Sequence, residues 1–139
     1  MAVADVLDAW VDDVAIKWPN DVWVARRKVA GILVEGRPQE DWAVLGIGLN
    51  VSTETEQFPP ELRDTATSIA GAGGGKHAVG DVLSLLLEAV ERRLGEPAEA
   101  LLSAWRRRDA LRGSRGLLGG RGGSRRRRGR RRRPAGGHG

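Results

Sequence analysis

Residues 14–51 contain four short segments rich in β-branched and apolar residues, and turn-forming residues separate them. The segments are Val14–Trp18, Val22–Ala25, Val29–Glu35 and Trp42–Val51. Proline, asparagine, aspartate and glycine at Pro19–Asp21 and Gly36–Pro38 favour tight turns between them. Short strands joined by tight turns usually pair with their neighbours in sequence, so this region predicts a sheet of three or four strands.

Helical patterns flank the predicted sheet. An apolar face with a spacing of three or four residues predicts a helix over residues 2–10. The glycine-rich segment 71–80 is interpreted as a flexible connector, after which Asp81 is expected to cap a helix that ends before Gly95. Pro97 then favours the start of a last helix. Strands followed by helices indicate an α+β fold.

The end of the chain differs sharply from the rest in composition. Residues 1–105 carry a net charge of −8, whereas residues 106–139 carry +13 and include ten glycines. Such a segment cannot bury enough apolar surface to offset the entropy lost on ordering, so we predict a disordered tail over residues 109–139. Because arginine, glycine, proline and alanine have GC-rich codons, we also hypothesise that a frameshift near Asp109 produced this tail.

Composition also excludes several classes of protein. The chain has no cysteine, which rules out disulfide bonds and thiolate metal sites. The N-terminal residues lack a basic, apolar signal sequence, and no run approaches the roughly 18 apolar residues that span a bilayer. The sequence therefore predicts a cytoplasmic protein that does not enter a membrane.

Glycines within the predicted strands point to a ligand site. Gly31 weakens a strand that a side chain would stabilise, and such glycines often mark the close approach of a ligand or another backbone. The two-residue period of a strand places Gly46, Gly48 and Asn50 on one face. One interpretation is a flat floor for a small ligand, with Lys28 able to contact an anion. The alternative is a glycine-rich stretch packed under a helix.

Three motifs together carry a family resemblance. KWPND, RKVAGILVEG and GIGLNVS, in this order and at this spacing, resemble the catalytic domain of the biotin protein ligases, the biotin–[acetyl-CoA-carboxylase] ligases of the BirA type. The resemblance covers residues 1–108 and implies part of a class II aminoacyl-tRNA synthetase-like α+β domain, with a mixed sheet flanked by helices. It implies that biotin and ATP form biotinyl-5′-AMP, and that biotin then passes to a lysine of the biotin carboxyl carrier protein of acetyl-CoA carboxylase.

The resemblance also implies roles on the biotin side of the site. Lys28 is the catalytic residue, expected to contact the biotin carboxyl group and the α-phosphate, because a transition state that gains negative charge needs a fixed cation. Gly31 and Ile32 are expected to border the biotin rings. Gly46 and Gly48 are expected to form the floor beneath them.

On the phosphate side, the resemblance implies Asp21 and Asn50. Both are expected near the Mg²⁺ that accompanies ATP, since Mg²⁺ prefers oxygen ligands, and Asn50 is also expected to contact the nucleotide. Lys17 and Trp18 are expected to support the turn that brings Asp21 there. For Arg26 and Arg27, a solvated turn is the simpler interpretation.

Three parts that the family carries are not found in these 139 residues: a basic glycine- and arginine-rich loop and several sheet strands upstream, and a small C-terminal β-barrel. We therefore expect weak or no activity from the chain alone, and either aggregation or a homo-oligomer formed through an exposed sheet edge. One alternative is an inactive remnant. Another is a nucleic-acid-binding module that uses the arginine-rich tail, although the tail lacks aromatic residues for base stacking. His77 and His138 are expected to be solvated.

Overall fold

The computed structural model describes residues 1–112. Its elements are α1 (Ala2–Leu7), β1 (Val14–Lys17), β2 (Asp21–Val24), β3 (Arg27–Arg37), β4 (Trp42–Leu49), α2 (Val79–Leu94) and α3 (Ala98–Arg108), with short 3₁₀ turns at Pro38–Glu40, Thr55–Gln57 and Pro60–Leu62. Residues 113–139, which hold most of the predicted tail, lie outside the described residues. The disorder and the frameshift therefore stay predictions.

The four strands form one sheet in the order β1-β2-β3-β4, and every neighbouring pair is antiparallel. The predicted α+β class and the pairing of successive strands are confirmed. The resemblance implied a mixed sheet. Within residues 1–112, parallel pairing is limited to two isolated bridges, Ile16 with Asp109 and Lys28 with Ala66.

The helices cover one face of this sheet. Alternation along the strands sends apolar side chains to that face, and they join residues of α1, α2 and the Val51–Ile69 region in a single buried cluster. Its most buried large side chains are Leu7, Val22, Val29 and Ile69. The opposite face carries Asp21, Gly31, Gly46 and Gly48, and no helix of the core cluster covers it. The sheet therefore presents one packed face and one open face.

A group of ion pairs joins the three helices at one end of the core. The Asp5 carboxylate of α1 accepts hydrogen bonds from Arg93 Nε at 2.6 Å and Arg93 Nη2 at 2.8 Å. Arg93 also donates to Glu96 at 2.6 Å, and Arg108 of α3 pairs with both Asp5 and Asp8. Burial raises the pKa of Asp5, but the Arg93 hydrogen bond and the charges of Arg93 and Arg108 outweigh it and hold that pKa below its usual value.

Several predicted boundaries and contacts differ from the structure. α1 ends at Leu7 rather than residue 10. Ala78, not Asp81, occupies the N-cap of α2. Asp81 lies in the first turn, where its carboxylate still interacts favourably with the helix dipole. The expectation of a solvated His77 is wrong. Its ring stacks on Trp10 with centroids 4.0 Å apart, and its Nε2 lies 2.8 Å from the Gly74 carbonyl oxygen, which attaches the connector to the end of α1. His138 lies outside the described residues.

Candidate active site

The centre of the open face is an ion pair between two neighbouring strands. Lys28 Nζ of β3 lies 2.8 Å from Asp21 Oδ1 of β2, and both side chains keep partial contact with solvent. Asp21 stands directly after the Trp18–Asn20 turn, and its position is fixed by pairing with Lys17 on one side and Gly31 on the other. The corner in KWPND and the lysine in RKVAGI therefore converge, as the sequence predicted.

A β-bulge determines which face Lys28 occupies. Val22 pairs with Ala30, but the next residue of β2, Trp23, pairs with Lys28, so Val29 is an extra residue in β3. Strict alternation would place Lys28 and Gly31 on opposite faces. The bulge returns Lys28 to the face of Asp21 and Gly31, which is a common use of bulges beside active sites.

The main chain of Lys28 is held by a segment that the sequence analysis did not single out. The Lys28 N–H donates to the Thr65 carbonyl at 2.8 Å, and the Lys28 carbonyl accepts from the Thr67 N–H at 2.8 Å. Lys28 thus pairs with Trp23 of β2 on one side and with the Thr65–Thr67 segment on the other. No periodic or turn signal in residues 63–68 indicated this pairing, since it depends on a long-range contact.

Two cavities meet at Lys28. One has a volume of about 410 Å³ and is lined by six of the seven residues predicted for the site: Asp21, Lys28, Gly31, Ile32, Gly46 and Gly48. The second, of about 470 Å³, lies on the other side of Lys28, against Phe58 and Leu62. Lys28, Gly31 and Gly48 line both. Lys28 is therefore shared by two adjoining spaces.

The predicted glycine floor is present as an area of bare backbone. Gly31 of β3 pairs with Gly48 of β4. Two residues further along β3, Leu33 pairs with Gly46, and this pair lies on the same face of the sheet. Ile32 pairs with Ile47 and packs against the core cluster, so it lies on the helix-facing side and only borders the cavity. The alternative, in which the glycines pack beneath a helix, does not describe this face.

Asn50 lies apart from Asp21. It lines the second cavity rather than the first, and its Nδ2 donates to the Thr67 carbonyl at 3.0 Å. Within residues 1–112, no group of three or more histidine, aspartate or glutamate side chains could hold a metal ion. The described residues can thus offer single oxygen ligands to a metal that arrives with a substrate, but they do not form a metal site of their own.

Lys17, at the start of the corner, contacts a tryptophan of the neighbouring strand, and its expected support of the turn stays a prediction. Its Nζ lies 4.6 Å from the centre of the Trp23 ring, a cation–π contact. Trp18, in contrast, is 64% exposed. The Trp23 indole N–H is buried and has no hydrogen-bond partner among the described residues.

Comparison with known proteins shows which family this part of the chain resembles. The model of the biotin/lipoate A/B protein ligase family matches residues 7–52, which include the Lys28–Asp21 pair and the glycine floor. These residues are therefore similar to part of a biotin/lipoate A/B protein ligase domain. The sequence-based resemblance to the biotin protein ligases is confirmed.

Individual curated proteins show the same similarity in sequence. The bifunctional ligase/repressor BirA of Bacillus spizizenii is 41% identical over 81 residues, which are 56% of this chain and 25% of that protein. The biotin–[acetyl-CoA-carboxylase] ligase of Mycobacterium tuberculosis is 34% identical over 117 residues, or 82% of this chain and 42% of that protein. The chain thus spans less than half of the length of each of these curated relatives.

Solved structures show the same fold. The biotin protein ligase of Aquifex aeolicus in complex with biotin and ATP is 31% identical, with a TM-score of 0.57 over 67% of this chain and 39% of that one. The biotin protein ligase of Leishmania major, at 17% identity, shares the fold with a TM-score of 0.63 over 99% of this chain and 56% of that one. No helix in residues 1–112 has the length and apolar character needed to cross a membrane.

Proposed function

We propose that this chain supplies part of the active site of a biotin–[acetyl-CoA-carboxylase] ligase. In this reaction biotin attacks the α-phosphate of ATP, biotinyl-5′-AMP and pyrophosphate form, and a lysine of the biotin carboxyl carrier protein then takes the biotinyl group. The observation that carries the proposal is the Lys28 ammonium, 2.8 Å from Asp21 above the glycine floor, within the segment that matches the family.

The position of Lys28 suits the joining of two anions. A carboxylate and a triphosphate repel each other, and their reaction concentrates negative charge on the α-phosphate oxygens. The ammonium group of Lys28, a residue that lines both cavities, offsets that charge, and a preorganised cation of this kind contributes strongly to transition-state stabilisation. Holding both reactants against one fixed group also supplies the alignment that a bimolecular reaction lacks in water.

The glycine floor suits a flat ligand. The absence of side chains at Gly31, Gly46 and Gly48 lets the biotin rings approach the sheet closely, with Ile32 at the border of that space. Asp21 offers one carboxylate oxygen to the Mg²⁺ carried by ATP, while its Oδ1 holds Lys28. Asn50 faces the second cavity, where its side-chain oxygen can contact the nucleotide.

The test is biotin-dependent exchange of pyrophosphate into ATP. The full chain is assayed alone, and residues 1–108 are assayed in a chimera in which they replace the matching segment of the Aquifex aeolicus ligase. We expect little exchange from the chain alone, because covering loops and further strands of the relatives lie outside the matched segment. We expect exchange from the chimera, followed by biotin transfer to a carrier protein.

Matched lysine variants make the test specific. In the chimera, Lys28→Ala should lower the exchange rate about 100-fold or more, the scale of losing a preorganised charge stabiliser. Lys76→Ala, which removes an exposed loop lysine, should leave it unchanged. Equal losses in the two variants, or no exchange from a folded chimera, would contradict the proposal and favour an inactive remnant.

A further inference from the structure

The Lys28 side chain reaches Asp21 by crossing over Gly31. A Cβ atom added to Gly31 would lie 3.3 Å from Lys28 Nζ and 3.4 Å from Lys28 Cε, with Asp21 Oδ1 next at 4.0 Å. A Cβ atom rarely approaches another atom as closely as 3.3 Å, so a side chain at Gly31 would require the end of the lysine to move by a few tenths of an ångström. The space left by the missing side chain is already occupied by Lys28.

We propose that Gly31 is a positioning residue, whose lack of a side chain fixes the Lys28 ammonium beside Asp21. The consequence of this positioning for catalysis rests on the function proposed above. The proposal also changes the interpretation of Gly31, whose first effect is then on the lysine rather than on the biotin rings. Because Lys28 lines both cavities, displacement of its ammonium group would alter the distance from that group to the ligands bound there.

The effect is specific to Gly31 among the glycines of the floor. A Cβ atom on Gly48 would meet only the Gly31 carbonyl oxygen, at 3.9 Å, and one on Gly46 would meet Leu33 atoms at 3.6 and 3.9 Å. These are ordinary van der Waals distances. An alanine at Gly48 therefore fits without moving the Lys28 side chain, which gives a matched control on the directly opposed residue.

The backbone conformation at Gly31 does not require a glycine at this position. Among the described glycines, positive φ angles occur at Gly73 and Gly75, so Gly31 adopts a conformation open to other residues. The nearest atoms to the added Cβ are all ends of side chains, and the closest two belong to a flexible lysine. The fold should consequently accept Gly31→Ala, and the change should appear in the position of the ammonium group.

The experiment uses NMR of the full chain with ¹³C,¹⁵N-labelled lysine. The chain has three lysines, Lys17, Lys28 and Lys76, so Lys17→Arg and Lys76→Arg variants assign the signals. Asp21→Asn removes the carboxylate from the ion pair, so the Lys28 Cε and Nζ signals of this variant should differ from those of the wild-type chain at the same pH, and this difference serves as the reference shift. Lys76, in an exposed loop, is the internal reference.

We expect Gly31→Ala to move the Lys28 signals from their wild-type positions toward those of Asp21→Asn, and Gly48→Ala to leave them at their wild-type positions. Wild-type Lys28 signals in Gly31→Ala, an equal shift in Gly48→Ala, or unfolding of Gly31→Ala would each overturn the proposal. The readout needs no activity. If the chimeric ligase were inactive but the lysine signals behaved as expected, the proposed function would fail while the positioning of Lys28 by Gly31 would stand.

Discussion

At the residue scale, two backbone hydrogen bonds fix the main chain of Lys28 to the Thr65–Thr67 segment. Asn50 extends this support, since its side-chain amide donates to the Thr67 carbonyl at 3.0 Å, and the Thr67 N–H donates to the Lys28 carbonyl at 2.8 Å. Thr67 is almost fully buried. Removal of the amide would leave a buried carbonyl without its partner, which costs about 1–3 kcal/mol.

Asn50→Ala should therefore loosen the segment that fixes Lys28. We expect the backbone amides of Lys28 and Thr67 to exchange with deuterium about tenfold faster or more, corresponding to about 1.4 kcal/mol of lost local stability. Ser84→Ala is the control, because it also removes a hydrogen bond between a side chain and the backbone, to Gly80 on the exposed surface of α2. Unchanged exchange at Lys28 and Thr67 in Asn50→Ala would show that Asn50 acts only toward a ligand.

At the element scale, the turn of the β2–β3 hairpin, which carries Asp21 and Lys28, contains residues that disfavour its backbone conformation. Its two loop residues, Ala25 and Arg26, have φ angles of 47° and 65°, as in a type I′ turn, where asparagine and glycine are preferred. Residues with a Cβ atom adopt this left-handed region at a cost of about 1–2 kcal/mol each. The register of the site is thus maintained by strand pairing and core packing, against the preference of the turn.

Arg26→Gly should stabilise the chain by about 1 kcal/mol, because glycine adopts a positive φ without steric cost. Urea unfolding monitored by tryptophan fluorescence measures the change. The control is Arg27→Gly, at the first residue of β3, where an extended backbone gains nothing from glycine and should be destabilised. A lower stability for Arg26→Gly would mean that the arginine side chain makes contacts that outweigh the strain.

At the scale of the whole molecule, the packing of three helices on the sheet depends on charge. Asp5 is the common acceptor of Arg93 and Arg108, and its side chain is only 13% exposed. Its pKa is lower in the folded chain than its ordinary value of 3.8. The stabilisation it provides is therefore complete above about pH 4 and is lost as the pH falls through the folded pKa.

Asp5→Asn should lower the free energy of unfolding by about 2 kcal/mol at pH 7, the range of hydrogen bonds to charged groups. The difference from the wild-type chain should shrink steadily below pH 4, where Asp5 becomes protonated in both states. Urea unfolding at a series of pH values measures this. Asp12→Asn removes the same charge from an exposed residue that forms no ion pair within residues 1–112, so it should show neither effect.

The sequence by itself determined the elements and the set of residues at the site. Alternation and turn residues located four strands because a half-buried strand must send every second side chain to the core. Three linked motifs identified the family and six residues of one cavity, since backbone approach and charge stabilisation need glycine and lysine at fixed positions.

The tertiary structure alone decided how those residues are arranged. The bulge at Val29 depends on the pairing of β3 with β2, and strict alternation along β3 would not place Lys28 on the same face as Gly31. The stacking of His77 on Trp10 and the bond from Asn50 to Thr67 likewise join residues far apart in the chain. Such contacts follow from three-dimensional packing, which no local pattern in the sequence encodes.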